Sequence, residues 1–499
     1  MWLITLQIIQ VYQESPTPDS VSHISQMLSL VLSTPYFFFS PTADLTQTQQ
    51  RLFLAPEEDL KKPLLERADQ RFVFNLEMLK PLPSEAVRFA VPLVHGAVFI
   101  NRKCAINGKN FGWYVISRRS RHRVGTRFFM RGCDEDGRVA NFVETEQIVV
   151  EGSGGGVSSF VQTRGSMPMF WSQVPDIRYM PRSRMAQRDD HVDGFLAHFR
   201  EQIPLYGDQV IVNLIDQKGM QGELEVNLRN VANEADLKQV HYVAFDFHKE
   251  CAKMRYDKLS KLISALQGHI SQFDYFYKND ADREGSIKMQ KGVFRTNCMD
   301  CLDRTNVVQS LLATENLKVV LSRMGILRPG EDILKKESFQ PVFKNVWADH
   351  ADMISVQYSG TGALKTDFTR TGKRTRYGAL QDGWNSAIRY YLNNFQDGDR
   401  TDALRYFVGE VGGEELLRAR GAAAAESRGK NVAVQYLPSA IAIALLVLLY
   451  LFNILISDRS GVVLSAFAVC LAITIGLLEV TRRNGKALVN FPVTMNGMK

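Results

Sequence analysis

Two cysteines, two aspartates and two arginines fall within the stretch FRTNCMDCLDRTN, Phe294 to Asn306. Thiols, carboxylates and guanidinium groups set so closely suit a metal knuckle, a redox pair, a structural charged loop or a catalytic turn. Zinc would need a second Cys/His pair at compatible spacing, yet Cys104, Cys133, Cys251 and Cys470 are scattered and His269 and His350 stand alone. A thioredoxin-like pair would leave Arg304 and both aspartates without a task. Cys298 and Arg304, with five residues between them, instead allow a cradle around one phosphate. The backbone amides of the turn point inward, the sulfur sits beneath the phosphorus and the guanidinium closes the rim with two hydrogen bonds. Met299, Cys301, Leu302, Asp303 and Thr305 complete the lining of such a cradle.

The elements on either side suit this task. KGVFRT is strand-like, and NVVQSLLATENLKVVLSRMG places Val307, Val308, Leu311, Leu312, Leu317, Val320, Leu321 and Met324 mostly at helical spacing. The turn therefore leads from a strand to a helix N-terminus, whose unpaired N–H groups and positive dipole bind an anion and favour a thiolate. Sulfur attack on phosphorus gives a phosphocysteine, which water hydrolyses, while the arginine stabilises the equatorial oxygens in both steps. Protonation of the leaving group needs a carboxylic acid, and Asp300 is taken as that acid ahead of Asp303, which suits a structural role. Asp176 and the pair Asp246/His248 are outside candidates that suit core or hairpin roles better.

A chain of 499 residues holds two or three domains, and 45% hydrophobic with 23% charged residues is an ordinary globular composition. The net charge of +7 favours an anionic partner: nucleic acid, a phosphorylated small molecule or an anionic membrane surface. Nucleic acid has basic patches in its favour but no recognisable module. Six cysteines are too few for a disulfide scaffold and point to a reducing compartment. The apolar start MWLITLQIIQVYQ has no basic residue before Arg51 and reads as a buried strand or short helix, not a signal peptide.

Strand-like runs (GAVFI, NFGWYVISRRS, SFVQTRG, DQVIVNLI, HYVAFDF) alternate with helix-like ones (HVDGFLAHFREQI, CAKMRYDKLSKLISALQGHISQF), predicting an α/β sandwich over residues 93–410. A small α+β region over 1–92 precedes it. EGSGGGVSS is a flexible loop without the Lys-Ser/Thr ending of a nucleotide P-loop. RARGAAAAESRGKN loses the apolar pattern and reads as part of a solvated linker over 411–436. Within 437–480, Leu437 to Ile456 and Val462 to Val480 are each apolar and long enough, as helices, to cross about 30 Å of hydrocarbon. SDRSG between them is a tight turn. Arg428 and Lys430 precede the pair and Arg482, Arg483 and Lys486 follow it, so both ends, including the tail 481–499, are expected in the cytosol.

FRTNCMDCLDRTN resembles the signature of the Sac-domain phosphoinositide phosphatases. So do Ile116 to Val149, Phe160 to Pro175, Tyr206 to Gly219, His241 to Cys251 and Trp347 to Thr375, in order; the likeness covers roughly Leu30 to Phe407. The C-terminal hairpin looks like that of the branch anchored in the endoplasmic reticulum and Golgi membranes. The resemblance implies a cysteine-phosphatase-like α/β catalytic domain behind a small N-terminal α+β Sac region, with a C-terminal transmembrane helical hairpin. It implies hydrolysis, without metal or cofactor, of the inositol-ring monophosphate of phosphatidylinositol 4-phosphate and, more weakly, of 3-phosphorylated lipids. Cys298 would be the nucleophile and Arg304 the phosphate clamp. Ahead of LSTPYFFFSP the family carries a longer region, so the first domain is expected to be shortened, and NGMK lacks the dilysine retrieval signal of some members.

An anionic lipid in an anionic surface attracts basic segments, so Lys365, Arg370, Lys373 and Arg374 are expected to meet headgroup or membrane. Arg118, Arg119, Arg121, His122 and Arg123 form a second basic cluster for which packing serves equally well. The rivals to a lipid phosphatase are a catalytically idle lipid-binding scaffold at the membrane and a phosphotyrosine phosphatase using the same sulfur chemistry.

Overall fold

The computed structural model describes residues 18–152, 155–279, 287–428, 437–457 and 461–495. The reading of the first thirteen residues lies outside them. A nine-stranded mixed sheet carries the molecule. Its strands are β1 (Phe37–Phe38), β2 (Val94–Ile106), β3 (Lys109–Arg119), β4 (Val143–Glu151), β5 (Gly156–Arg164), β8 (Asp208–Asn213), β9 (Val240–Ala244), β10 (Phe276–Asn279) and β11 (Gly292–Asn297), and β6 (Trp171–Gln173) with β7 (Ser183–Met185) forms a separate ribbon. The order runs β1-β2-β3-β4-β5-β11-β8-β9, with β10 pairing β5 beside β11. From β1 to β5 the pairing is antiparallel; β5, β11, β8 and β9 pair in parallel.

The longer helices are α1 (Pro18–Leu32), α2 (His191–Tyr206), α3 (Gly222–Ala235), α4 (Leu259–Phe273), α5 (Asp303–Arg323), α6 (Gln340–Ser359), α7 (Arg376–Phe395), α8 (Asp397–Phe407), α9 (Gly413–Arg428), α10 (Leu437–Ser457) and α11 (Gly461–Arg483). In the parallel half the strands lose polar alternation because both faces are covered. Val210, Ile211, Val212 and Phe294 share one core with Leu228, Leu262, Leu266, Val308 and Leu312 of α3, α4 and α5. Polar side chains drawn into this interior find partners: Trp113 donates to Gln147 at 3.1 Å, and Gln147 donates to the Ala313 carbonyl at 3.1 Å.

Residues before Pro92 form no sheet of their own among the described residues. Phe37 and Phe38 pair antiparallel with β2 as its edge neighbour, the Phe37 ring stacks on His95 with centroids 4.3 Å apart, and Met27 and Val31 of α1 share a core with Leu404 and Phe407 of α8. The alanine-rich stretch expected as an unpatterned linker is instead helical through Arg428, with Leu416 buried at its start. Ala, Arg and Glu are strong helix formers, so the helix needs no apolar stripe beyond its first turns.

α10 and α11 lie side by side: the Phe452 and Phe467 rings are 6.2 Å apart and the Cys470 thiol donates to the Ala444 carbonyl at 3.7 Å. Val462–Arg483 has a mean hydropathy of 2.3 and is long and apolar enough to cross a membrane, whereas the apolar stretch found in α10 is the shorter Ile443–Ile454. After α11 the chain returns to the globular part. The Asn490 amide donates to the Asn394 carbonyl at 2.8 Å, and the Asp402 carboxylate accepts from Val493 N at 2.8 Å and Thr494 N at 3.2 Å.

Candidate active site

Ligands of parallel sheets collect beyond the carboxyl ends of the strands, and here β11 and β8 end side by side, Asn297 donating to Asn213 at 2.7 Å. β11 delivers Cys298 to a turn that closes at Asp303, the first residue of α5. Making that turn in so few residues puts Cys301 in the left-handed region (φ +53°). The turn is thereby folded beneath an open cleft of about 570 Å³ lined by Cys298, Met299, Asp300, Leu302, Asp303 and Arg304.

Cys298 is 2% exposed and lines the cleft. Its sulfur accepts the Cys301 backbone N–H at 3.1 Å and faces the Thr305 hydroxyl at 3.6 Å, both at the N-terminus of α5. Hydrogen bonding from Cys301 does most to hold the Cys298 thiol well below its ordinary pKa; Arg304 and Thr305 add to this, while burial and Asp300 oppose it. Burial, with the sulfur of Cys298 alongside, pushes the Cys301 thiol well up, and it donates to the Gly165 carbonyl at 2.9 Å. One sulfur thus faces the cleft with its thiol pKa lowered, and the other lies beneath it with its thiol pKa raised.

Arg304 shares the cleft, and all three of its hydrogen bonds run through Nη1, to the Leu214 carbonyl (3.0 Å), Gln221 Oε1 (3.2 Å) and Asp216 Oδ1 (3.4 Å). The guanidinium is therefore oriented from the β8 side. His248 Nδ1 meets the same Asp216 oxygen at 2.8 Å, which brings one of the outside candidates to the cleft rim. Its companion Asp246 caps a short helix, accepting Lys249 N at 3.1 Å, and Asp176 pairs with Arg178.

The two loop carboxylates live in opposite environments. Asp300 receives Arg131 at 2.6 Å and a forked contact from Arg127, Nε to Oδ1 at 3.0 Å and Nη2 to Oδ2 at 3.0 Å. Burial pushes its pKa up, but the two arginines more than offset this and hold it well below the usual carboxylate range. Both carboxylate oxygens of Asp300 are thus engaged by guanidinium groups. Arg131 also donates to the Met299 carbonyl at 2.7 Å, which makes the pair a brace for the turn. Asp303 accepts the Leu364 N–H at 3.1 Å; burial pushes its pKa up, Arg389 counters in part, and Cys298 and Asp300 add to the rise.

Of the four basic residues Lys365, Arg370, Lys373 and Arg374, Lys365 lines the cleft, held in a left-handed conformation (φ +61°). Arg370 pairs with Asp349 (2.7 Å) and Asp352 (3.4 Å), Arg374 pairs with Asp367 and Asp382, and Lys373 is exposed outside the cleft. Arg118 and Arg119 are buried packing groups, the first between Glu144 and Glu146 and the second on the Gln357 and Gly125 carbonyls. Sequence reasoning had no role for Arg127, Arg131, Asp216, Gln221 and Arg389. Arg127 and Arg131 stand 173 and 169 residues from Asp300 in the chain, beyond any spacing rule.

With the geometry described, comparison with known proteins places the chain. Residues 4–252 match the family model described as the SacI homology domain. The chain belongs to the Sac phosphoinositide phosphatase family. It is 49% identical over 392 residues to phosphatidylinositol-3-phosphatase SAC1-B of Danio rerio, covering 78% of this chain and 66% of that protein. It is 50% identical over 388 residues to phosphatidylinositol-3-phosphatase SAC1 of Drosophila melanogaster, covering 77% and 65%. With phosphoinositide phosphatase SAC7 of Arabidopsis thaliana it shares 37% over 475 residues, covering 94% of this chain and 78% of that protein. The chain thus spans about two thirds of the length of the animal relatives.

Proposed function

We propose that this protein is a phosphoinositide phosphatase that removes the inositol-ring monophosphate of phosphatidylinositol 4-phosphate, and also of phosphatidylinositol 3-phosphate, through a phosphocysteine at Cys298. The observation that carries the reading is the buried Cys298 sulfur, 3.1 Å from the Cys301 N–H at the start of α5 and open to a cleft shared with Arg304. The names of the relatives supply the substrate class, and the domain division 1–92 and 93–410 with a cysteine-phosphatase-like second part is proposed with it.

The phosphate enters the turn with the helix dipole and inward amides beneath it. The Cys298 thiolate forms a bond to phosphorus as the ester bond to the inositol oxygen breaks. Asp303, lining the cleft with its pKa raised, gives a proton to the departing oxygen. Water then attacks the phosphocysteine, Asp303 takes up a proton, and inorganic phosphate leaves with the thiolate restored. Arg304, fixed on one side by Leu214, Asp216 and Gln221, clamps the equatorial oxygens in both steps. Asp300 acts with Arg127 and Arg131 to keep the turn open. Lys365 at the rim suits an anionic headgroup.

The apolar helix Val462–Arg483 supports membrane attachment, with α10 beside it as a second helix; an anchor in the endoplasmic reticulum or Golgi membranes with both ends cytosolic and the cleft facing an anionic membrane is proposed with it. The test is phosphate release from vesicles containing phosphatidylinositol 4-phosphate by the full chain and by Cys298→Ser, with a chelator present. Release by the unsubstituted protein alone, indifferent to chelation, is expected. Equal release by the serine variant would end the reading, and no release by either folded protein would favour an idle lipid-binding scaffold.

A further inference from the structure

α7 is built inside out for a surface helix. Its polar residues Arg389 and Asn393 are buried, Arg389 donating to Thr361 at 3.0 Å and to the Gly362 carbonyl at 2.8 Å. The opposite face carries Tyr377, Leu380, Trp384 and Tyr391, exposed by 76, 74, 68 and 52%. At about 100° per residue these four fall within one stripe. Tyr179 and Met180, exposed by 66 and 45%, continue it, because the Tyr390 hydroxyl donates to the Ile177 carbonyl at 2.6 Å and ties that loop to α7. Both elements also line the catalytic cleft, through Tyr179, Met180 and Tyr390.

The same loop receives the end of the membrane-crossing helix. Gly485, two residues beyond α11, packs so closely on Asp176 that a Cβ there would stand 2.3 Å from the Asp176 carbonyl oxygen. Asn490 then bonds to Asn394 in the last turn of α7. The chain that leaves the bilayer is therefore fastened to both elements that carry the stripe. Lys365, Lys373 and Arg376, all exposed, border it with positive charge. Trp and Tyr over an apolar strip with basic flanks match the chemistry of a headgroup interface.

We infer that the α7 stripe with Tyr179 and Met180 is an interfacial docking face that rests on the anionic phospholipid surface in which the protein is anchored, setting the cleft mouth at headgroup level. The inference rests on the phosphatase reading only for its kinetic arm.

The test uses the full chain in vesicles of phosphatidylcholine and phosphatidylserine, with Trp384 fluorescence taken as the difference between the protein and its Trp384→Phe variant. Bromine-bearing phosphatidylcholine should quench Trp384 and its emission should lie to the blue. The variant Leu380→Asp/Trp384→Asp should hydrolyse bilayer-embedded phosphatidylinositol phosphate about tenfold more slowly and a short-chain, monomerically dispersed analogue at an unchanged rate. Unquenched, solvent-like Trp384 emission overturns the proposal. So does emission that moves with protein concentration as a dimer forms, which would make a second copy the occupant. A quenched Trp384 in a protein that hydrolyses neither substrate would sink the phosphatase reading and leave the docking face standing.

Discussion

Replacing Asp303 by Asn separates the two loop carboxylates more sharply than any other change. The amide oxygen can still accept the Leu364 N–H that Asp303 accepts at 3.1 Å, so stability should fall by no more than about 1 kcal/mol. What disappears is the proton for the leaving oxygen. General acid catalysis contributes on the order of 10²–10⁴-fold, which at about 1.4 kcal/mol per factor of ten is about 2.7–5.5 kcal/mol of barrier. That loss should appear only where the leaving group needs a proton. On a phosphatidylinositol phosphate, whose inositol alkoxide departs poorly, kcat/KM, which reports formation of the phosphocysteine and not its breakdown, should fall at least about 10²-fold; on a fluorinated umbelliferyl phosphate, whose phenolate leaves unaided, the fall in kcat/KM should stay within about threefold. Asp300→Asn should impair both substrates alike, because Arg127 and Arg131 lose the carboxylate that braces the turn. Equal losses on both substrates for Asp303→Asn, or leaving-group selectivity in Asp300→Asn instead, would refute the assignment.

The pH dependence follows from the same pair. Cys298 acts as a thiolate, present above a pKa held well below the thiol range, and Asp303 acts as an acid, present below a pKa raised above the carboxylate range. kcat/KM should therefore rise on the acid side with Cys298 ionisation and fall on the alkaline side with Asp303 ionisation, and Asp303→Asn should erase the alkaline limb alone. Asp300→Ala strands Arg127 and Arg131; breaking such a buried pair costs about 3–5 kcal/mol, and because the Asp300 side chain is 22% exposed about 2–3 kcal/mol is expected from the urea midpoint. Thr305→Val removes the hydroxyl facing the sulfur at 3.6 Å and should raise the alkylation midpoint of Cys298 with iodoacetamide by about one pH unit. Asp216→Ala frees Arg304 from one of its three anchors and should lower kcat/KM by about three- to tenfold with little change in melting.

What was legible in the sequence was local. The run from Gly292 to Arg323 announces strand, turn and helix because burial on both sides of β11 and helical spacing in α5 are written in consecutive residues. Apolar length likewise announces α11. The brace was not legible, since only folding brings Arg127 and Arg131, in the connection between β3 and β4, to Asp300. The difference between the aspartates hung on this: from sequence both are carboxylates in one loop, and only their partners set Asp300, paired with two arginines, apart from Asp303, which meets the Leu364 N–H. Arg370 and Arg374 looked like free charge because Asp349, Asp352, Asp367 and Asp382 approach them from α6, the segment before α7 and α7 itself. The helix from Arg418 to Arg428 within the linker was not legible because missing amphipathicity does not prevent a helix made of alanine, arginine and glutamate.

The central claim is a covalent intermediate on one sulfur. Rapid acid quench of the full chain turning over phosphatidylinositol 4-phosphate labelled in the ring phosphate, followed by peptide mapping, tests it directly. The account predicts label on the peptide containing Cys298, in greater amount in Asp303→Asn when that variant is fed an aryl phosphate, because breakdown then lacks its base. Continued phosphate release with no label on Cys298, or label that persists in Cys298→Ala, would contradict it.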